Sequence, residues 1–323
     1  MSNLERDPAE QSCAGRPSEG PVTELLEPRT VWLGRTQQVR RLLPHKERRM
    51  VGAWCFVDHY GPDDITGRPG MWVPPHPHSS LQTVSWLFRG LILHRDSAGN
   101  EALVRPGELN IMTAGPGIAH SEESHEQQAN PVVHGAQLWV ALPDGVRNSV
   151  APRFDQYDDL PELSLDGLRG TVMIGSVGGV ESPATSYTPL VGADLTVDAA
   201  ASLPLTPAYE YAVLVIDGPV TVENQRAEVG EMVYAGLGRS SLALSGPGRV
   251  LLLGGEPFEE EIVMWWNFIG RSHDEIVALR NEWNAGLTGG PTDRFGVVRG
   301  FAGDPLFAPA LPNSTLKPRG RTR

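Results

Sequence analysis

Cysteine is nearly missing from this chain: Cys13 and Cys55 are the only two in 323 residues. Two thiols cannot build a disulfide framework, and this usage fits a reducing, cytoplasmic setting. Long apolar runs are absent as well. No stretch approaches the roughly 20 apolar residues of a membrane span, so no membrane association is expected. Met1 to Arg29 has neither a basic start nor an apolar segment after it, and no secretory signal is visible. Positive charge is scarce: Lys and Arg number 27 against 39 Asp and Glu, a formal net charge of −12. Such a surface is poorly suited to the phosphate backbone, so direct nucleic-acid binding is not expected. The nine histidines are also unevenly spread, with none between His134 and His273.

Gly (36) and Pro (28) are plentiful, which favours many short strands separated by turns. The length permits two domains. Residues 1–29 are polar and acidic and read as a disordered arm. From residue 30 to 142 runs a first set of strands, ending in the apolar stretch around Gln137-Leu138-Trp139-Val140. Residues 143–170, rich in Pro, Asp and Ser, read as a linker. A second set of short strands over 171–302 has similar spacing, which suggests a duplication. Arg40-Arg41 and Lys46 to Arg49 form a basic cluster that reads as a solvated face. Ser272-x-x-Glu275 is a capping box, and Ile276, Leu279 and Trp283 recur at helical spacing, predicting a helix over 273–285. Residues 303–323 read as an extended tail.

Two patterns carry chemistry. His76-Pro77-His78 and His120-Ser121-Glu122 both place potential ligands two apart. On a β-strand such residues share a face, with Cα atoms about 6.5–7 Å apart. Facing strands would gather three imidazoles and a carboxylate, a donor set for iron, manganese, nickel or zinc. Either pair alone is weak; two histidines near a strand start often hold no metal. If the strand from His76 runs unbroken to Phe88, Gln82, Trp86 and Phe88 lie on the ligand face and form a polar end and an apolar wall. The wall residues could equally be plain core.

His76 to Thr83, His94 to Gly99 (HRDSAG) and Arg105 to Glu122 together resemble the pirin family. So do Met50 to His59 and Met264 to His273. The resemblance spans Val31 to Asn284 and implies an all-β fold of two tandem cupin jelly-roll barrels, with a short C-terminal helix. It implies iron held in the first barrel by His76, His78, His120 and Glu122, and a metal-free second barrel. Ser79 to Gln82 depart from the family's usual Arg-Gly-Phe-Glu, which puts the substrate in question. Some family members are similar to quercetin 2,3-dioxygenases, which implies a small enolic or aromatic substrate and O₂, with Glu122 as catalytic base. His94 and Trp86 would line the pocket, with Gln82 reshaping it; His94 is alternatively a hairpin histidine bonded to local backbone. A second reading implied by the family is an iron-dependent redox sensor that binds a protein partner. The chain is expected to be a monomer.

Overall fold

The computed structural model describes residues 21–33, 37–67, 70–125 and 131–321. Most of the expected N-terminal arm, with Cys13, lies outside the described residues. Two jelly-roll barrels follow one another along the chain. In the first, a seven-stranded sheet runs in the order 153–157, 109–113, 81–89, 132–141, 54–64, 37–43, 29–33. It faces a four-stranded sheet ordered 72–78, 118–124, 92–96, 101–104. The second barrel repeats the plan. Its large sheet runs 23–26, 232–235, 210–217, 248–255, 190–197, 168–177, 162–165, and its small sheet runs 201–204, 241–245, 220–222, 225–227.

The large sheets pack against each other. Trp54, Val84, Trp86 and Leu138 of the first meet Met173, Leu214, Leu251 and Leu253 of the second in one buried cluster. Trp54 sends its indole N–H across to the carbonyl of Val191 at 3.0 Å. The inside of the second barrel is filled by Val, Leu and Ala side chains, including Val172, Val213, Val233 and Leu252. The two interiors therefore differ in kind: a dry apolar filling in one, buried histidines in the other.

Four sequence expectations are corrected. Thr23–Leu26 is not loose arm but a strand, paired antiparallel with Met232–Ala235 of the second barrel. Leu26 is buried there, a short apolar anchor hidden by acidic neighbours. The linker is not irregular throughout. Arg153–Tyr157 is an edge strand on Leu109–Thr113, and Glu162–Leu165 forms a hairpin with the strand beginning at Leu168. Both have one sheet partner, as edge strands do, so their alternation is weak. The basic cluster is solvated only at Lys46: Arg41, Arg48 and Arg49 are buried and Arg40 is half-buried. Arg41 makes a two-point ion pair with Asp58, and Arg48 reaches Glu24 at 3.0 Å.

The fourth correction bears on the site. His76 to Phe88 is not one strand. It breaks after His78 at Ser79 and Ser80, and Ser80 takes a left-handed φ of 58°. The break resets which side chains face inward. The helix forms as expected, over His273–Leu287, with the Ser272 hydroxyl accepting from the Glu275 N–H and Ile276, Leu279 and Trp283 buried. Beyond it the chain stays extended across the first barrel: the Leu306 N–H donates to the Pro75 carbonyl, and Ala308 and Leu316 are buried.

Candidate metal centre

His76 and His78 end the Trp72–His78 strand, and His120 lies on Ile118–Ser124, its antiparallel neighbour. The register sets His120 directly opposite His76. Alternation of side chains then points all three imidazoles to the barrel interior. They are fully buried, and one ring nitrogen from each falls within a mutual distance of 4.8 Å. The Nε2 atoms of His76 and His78 stand 3.2 Å apart.

Each ring is aimed by its other nitrogen. His76 Nδ1 meets the Pro74 carbonyl at 2.8 Å, and His78 Nδ1 the Asn267 carbonyl at 3.1 Å. Carbonyls only accept, so both protons sit on Nδ1 and both Nε2 lone pairs face the common point. His120 Nε2 is buried and has no hydrogen-bond partner. Three lone pairs converging in a buried site are what a metal needs, and this arrangement fits one. The electrostatics agree. Burial pushes the His76 imidazole down to about 4, against the pull of the Pro74 carbonyl and the Glu122 carboxylate. Burial and the neighbouring imidazoles push His78 and His120 well below the usual range. All three are neutral near pH 7, the form that binds metal.

Family models cover most of this region and the second barrel. The model described as Pirin matches residues 35–140, and that of the Pirin C-terminal cupin domain matches residues 190–289. The chain belongs to the pirin family. A Pseudomonas aeruginosa protein provisionally named a quercetin 2,3-dioxygenase is 45% identical over 295 residues, covering 90% of this chain and 91% of that one. A pirin-like protein of Caulobacter vibrioides is 37% identical over 267 residues, covering 77% and 88%. Among solved structures, a quercetin 2,3-dioxygenase from Acinetobacter baumannii aligns with TM-score 0.85 at 38% identity, covering 92% of this pirin-family chain and 97% of its own. The two barrels are thus tandem cupins.

Of the residues singled out in the sequence, His76, His78 and His120 come together. Glu122 is buried one alternation further along the same strand, but a register irregularity falls between it and His120, and its carboxylate lies outside the three-nitrogen set. His94 joins the site from the Ile92–Asp96 strand, with Nδ1 3.4 Å from His120 Nδ1 and its ring stacked on Phe154 at 4.3 Å. Trp86 does not join. It is on the opposite face of the sheet and donates its indole N–H to Asp194 of the second barrel at 2.7 Å. Gln82 shares the face of Val84 and Trp86 and donates to the Thr113 hydroxyl at 3.0 Å. The inward residue is its neighbour Thr83, paired with Trp139, whose ring stands 5.1 Å from His78. The break at Ser79 and Ser80 is the cause: it flips the phase assumed for an unbroken strand. Phe88 likewise lies away from the site, under the Arg249 guanidinium.

Sequence reasoning missed Asp96, Asn267, Phe154 and Trp139. Asp96 had a visible signal, since it sits two residues after His94 and so shares its face. Asn267 had none: it reaches His78 through a main-chain carbonyl from a tight turn in which Trp266 has φ 52°.

Proposed function

We propose that this protein is a metal-dependent dioxygenase that opens the ring of a flavonol or a related small enolic aromatic compound with O₂. The observation that carries it is the buried, inward-facing triad of His76, His78 and His120, with the buried Glu122 carboxylate on the same strand as His120 and near enough to pull on the His76 imidazole. The 45% identical relative and the aligned Acinetobacter baumannii enzyme, by their names, support the reaction class. We assign iron, held by His76, His78, His120 and Glu122; manganese, nickel and zinc suit the same donors. When bound, the metal supplies Lewis acidity that lowers the pKa of a substrate hydroxyl.

The chain's own groups do the rest. The Pro74 and Asn267 carbonyls fix two rings before substrate arrives, so no reorganisation accompanies the reaction. A carboxylate oxygen of Glu122 accepts the hydroxyl proton of the substrate as it ionises. Met112, Phe154 and Trp139 give the apolar surroundings that exclude water.

The test is metal analysis of purified protein followed by aerobic assay with quercetin. Turnover that disappears in His76→Ala and falls at least about a hundredfold in Glu122→Gln is the expected result. Stoichiometric metal with no O₂ uptake across a panel of flavonols defeats the enzyme and leaves the redox-regulatory reading standing.

A further inference from the structure

Two of the triad histidines are oriented by backbone carbonyls, and the third is not. His120 Nδ1 faces no carbonyl; it faces His94 Nδ1 at 3.4 Å. His94 Nε2 in turn meets Asp96 Oδ2 at 3.2 Å. Asp96 is buried and held from behind: the Asn100 backbone N–H donates to Oδ1 at 3.1 Å, and the Asn100 side-chain amide reaches both oxygens at 3.1 and 2.9 Å. The His94 ring is kept in plane by Phe154, stacked at 4.3 Å with 20° between rings.

We propose that Asp96 and His94 form a relay that orients His120 and raises its donor strength toward the metal, making His94 a positioning residue rather than a substrate contact. This rests on the metal reading above. The tautomers follow from hydrogen-bond bookkeeping. His120 directs its unpartnered Nε2 lone pair at the metal, so its proton is on Nδ1 and is donated to His94 Nδ1. His94 therefore keeps its own proton on Nε2 and donates it to Asp96. Each donor in the chain finds one acceptor, and the chain ends on a charge. Burial favours the neutral acid, but the hydrogen bonds from His94 and Asn100 hold the Asp96 carboxyl below its usual range.

A carboxylate at the end of such a chain strengthens the ligand more than a carbonyl does, because negative charge is transmitted through the rings. His120 thereby gains donor strength toward the metal that a carbonyl partner would not supply. His76 and His78 are locked by main chain that substitution cannot remove, so His120 is the ligand whose orientation depends on side chains. Two residues of the Ile92–Asp96 strand, placed opposite Glu122 and His120 by register, thus extend the metal site by one shell.

The experiment measures metal affinity directly. Metal-free wild type, His94→Phe, Asp96→Asn and Asn100→Ala are titrated with Co²⁺ and with Fe²⁺ under anaerobic conditions, and release to a chelator is timed. His94→Phe keeps an aromatic ring against Phe154 while removing both nitrogens. Expected are losses of about 10- to 100-fold in affinity for His94→Phe and Asp96→Asn, and a smaller loss for Asn100→Ala. The double variant is expected to be no worse than the weaker-binding single variant, since both cut one chain. The visible spectrum of bound Co²⁺ should shift in both single variants, and Asp96→Glu should restore part of the affinity. Thermal unfolding of the metal-free variants separates misfolding from lost orientation, because the relay predicts lost affinity in variants that still unfold cooperatively as folded protein. Unchanged affinity and spectrum in His94→Phe, with a raised KM for substrate, overturn the relay and return His94 to the pocket. A wild type that takes up no metal overturns the metal reading as well, and is recognised before any variant is made.

Discussion

The Nε2 atoms of His76 and His78 lie 3.2 Å apart while both Nδ1 atoms are engaged by carbonyls. Two lone pairs so close repel unless a cation lies between them. The metal-free protein carries that repulsion, and metal binding removes it. A metal that binds only the folded state stabilises by about 2.7 kcal/mol at a free concentration a hundred times its Kd. Thermal unfolding with and without a chelator should therefore show a metal-dependent increment in Tm. In His78→Ala the increment should vanish. An increment that survives this substitution places the metal elsewhere.

Trp86→Phe separates the two barrels' interface from the site. The change removes the N–H donated to Asp194 at 2.7 Å, while Arg249 still pairs with that carboxylate at 2.6 Å. The loss of one buried, charge-assisted hydrogen bond costs about 1.5–3 kcal/mol. Urea unfolding should show that loss with metal content and KM unchanged. A raised KM for the flavonol would put Trp86 back in the pocket.

The histidine patterns were legible because a strand's alternation is rigid over two residues: His76 and His78 needed only a local strand to converge, and His120 needed only its neighbour. Strand spacing suggested a duplication and the family resemblance implied two barrels, while the histidine gap fits the apolar interior of the second. Phase over longer distance was not legible. One serine in a left-handed conformation, Ser80, moves Gln82 and Trp86 to the other face, and nothing in Ser-Ser-Leu-Gln announces it. The Asn267 carbonyl at His78 was equally hidden, since a main-chain contact across 189 residues leaves no mark on side-chain identity.

Residues after Gly303 brace the site from outside. The Leu306 N–H bonds the Pro75 carbonyl, next to His76, while Arg319 pairs its backbone with Ile262 and Arg321 reaches Glu210 at 3.0 Å. A chain ending at Gly303 loses these bonds and exposes what Leu316 covers, and Leu316 alone is worth about 1.5–3 kcal/mol. Such a truncation should lower Tm and speed metal release to a chelator, since the strand bearing His76 and His78 loses a backbone partner. Unaltered release kinetics in a folded truncation would confine the strap to a purely stabilising role.

His59 and His134 are buried with Nε2 atoms 2.9 Å apart, away from the triad. Arg40 Nε donates to His59 Nδ1 at 3.4 Å, so neutral His59 keeps its proton on Nε2 and donates it to His134. A second proton has no place between them. Burial, with Arg40 adding to it, pushes His59 down to about 2 and His134 to about 4. In the unfolded chain both titrate near 6.5. As pH falls from about 6.5 toward 4 the unfolded chain gains protons that the fold excludes, so stability is lost on acidification through that window. Each such proton contributes up to about 1.4 kcal/mol per pH unit. In the double variant His59→Gln and His134→Gln the amides keep a hydrogen bond and do not titrate. Urea unfolding of metal-free protein at pH 7, 6 and 5 should give a shallower loss of stability for the variant than for the wild type. The triad histidines titrate alike in both proteins, so the difference belongs to this pair. Equal slopes would mean that His59 and His134 accept protons in the folded state as readily as in the unfolded one.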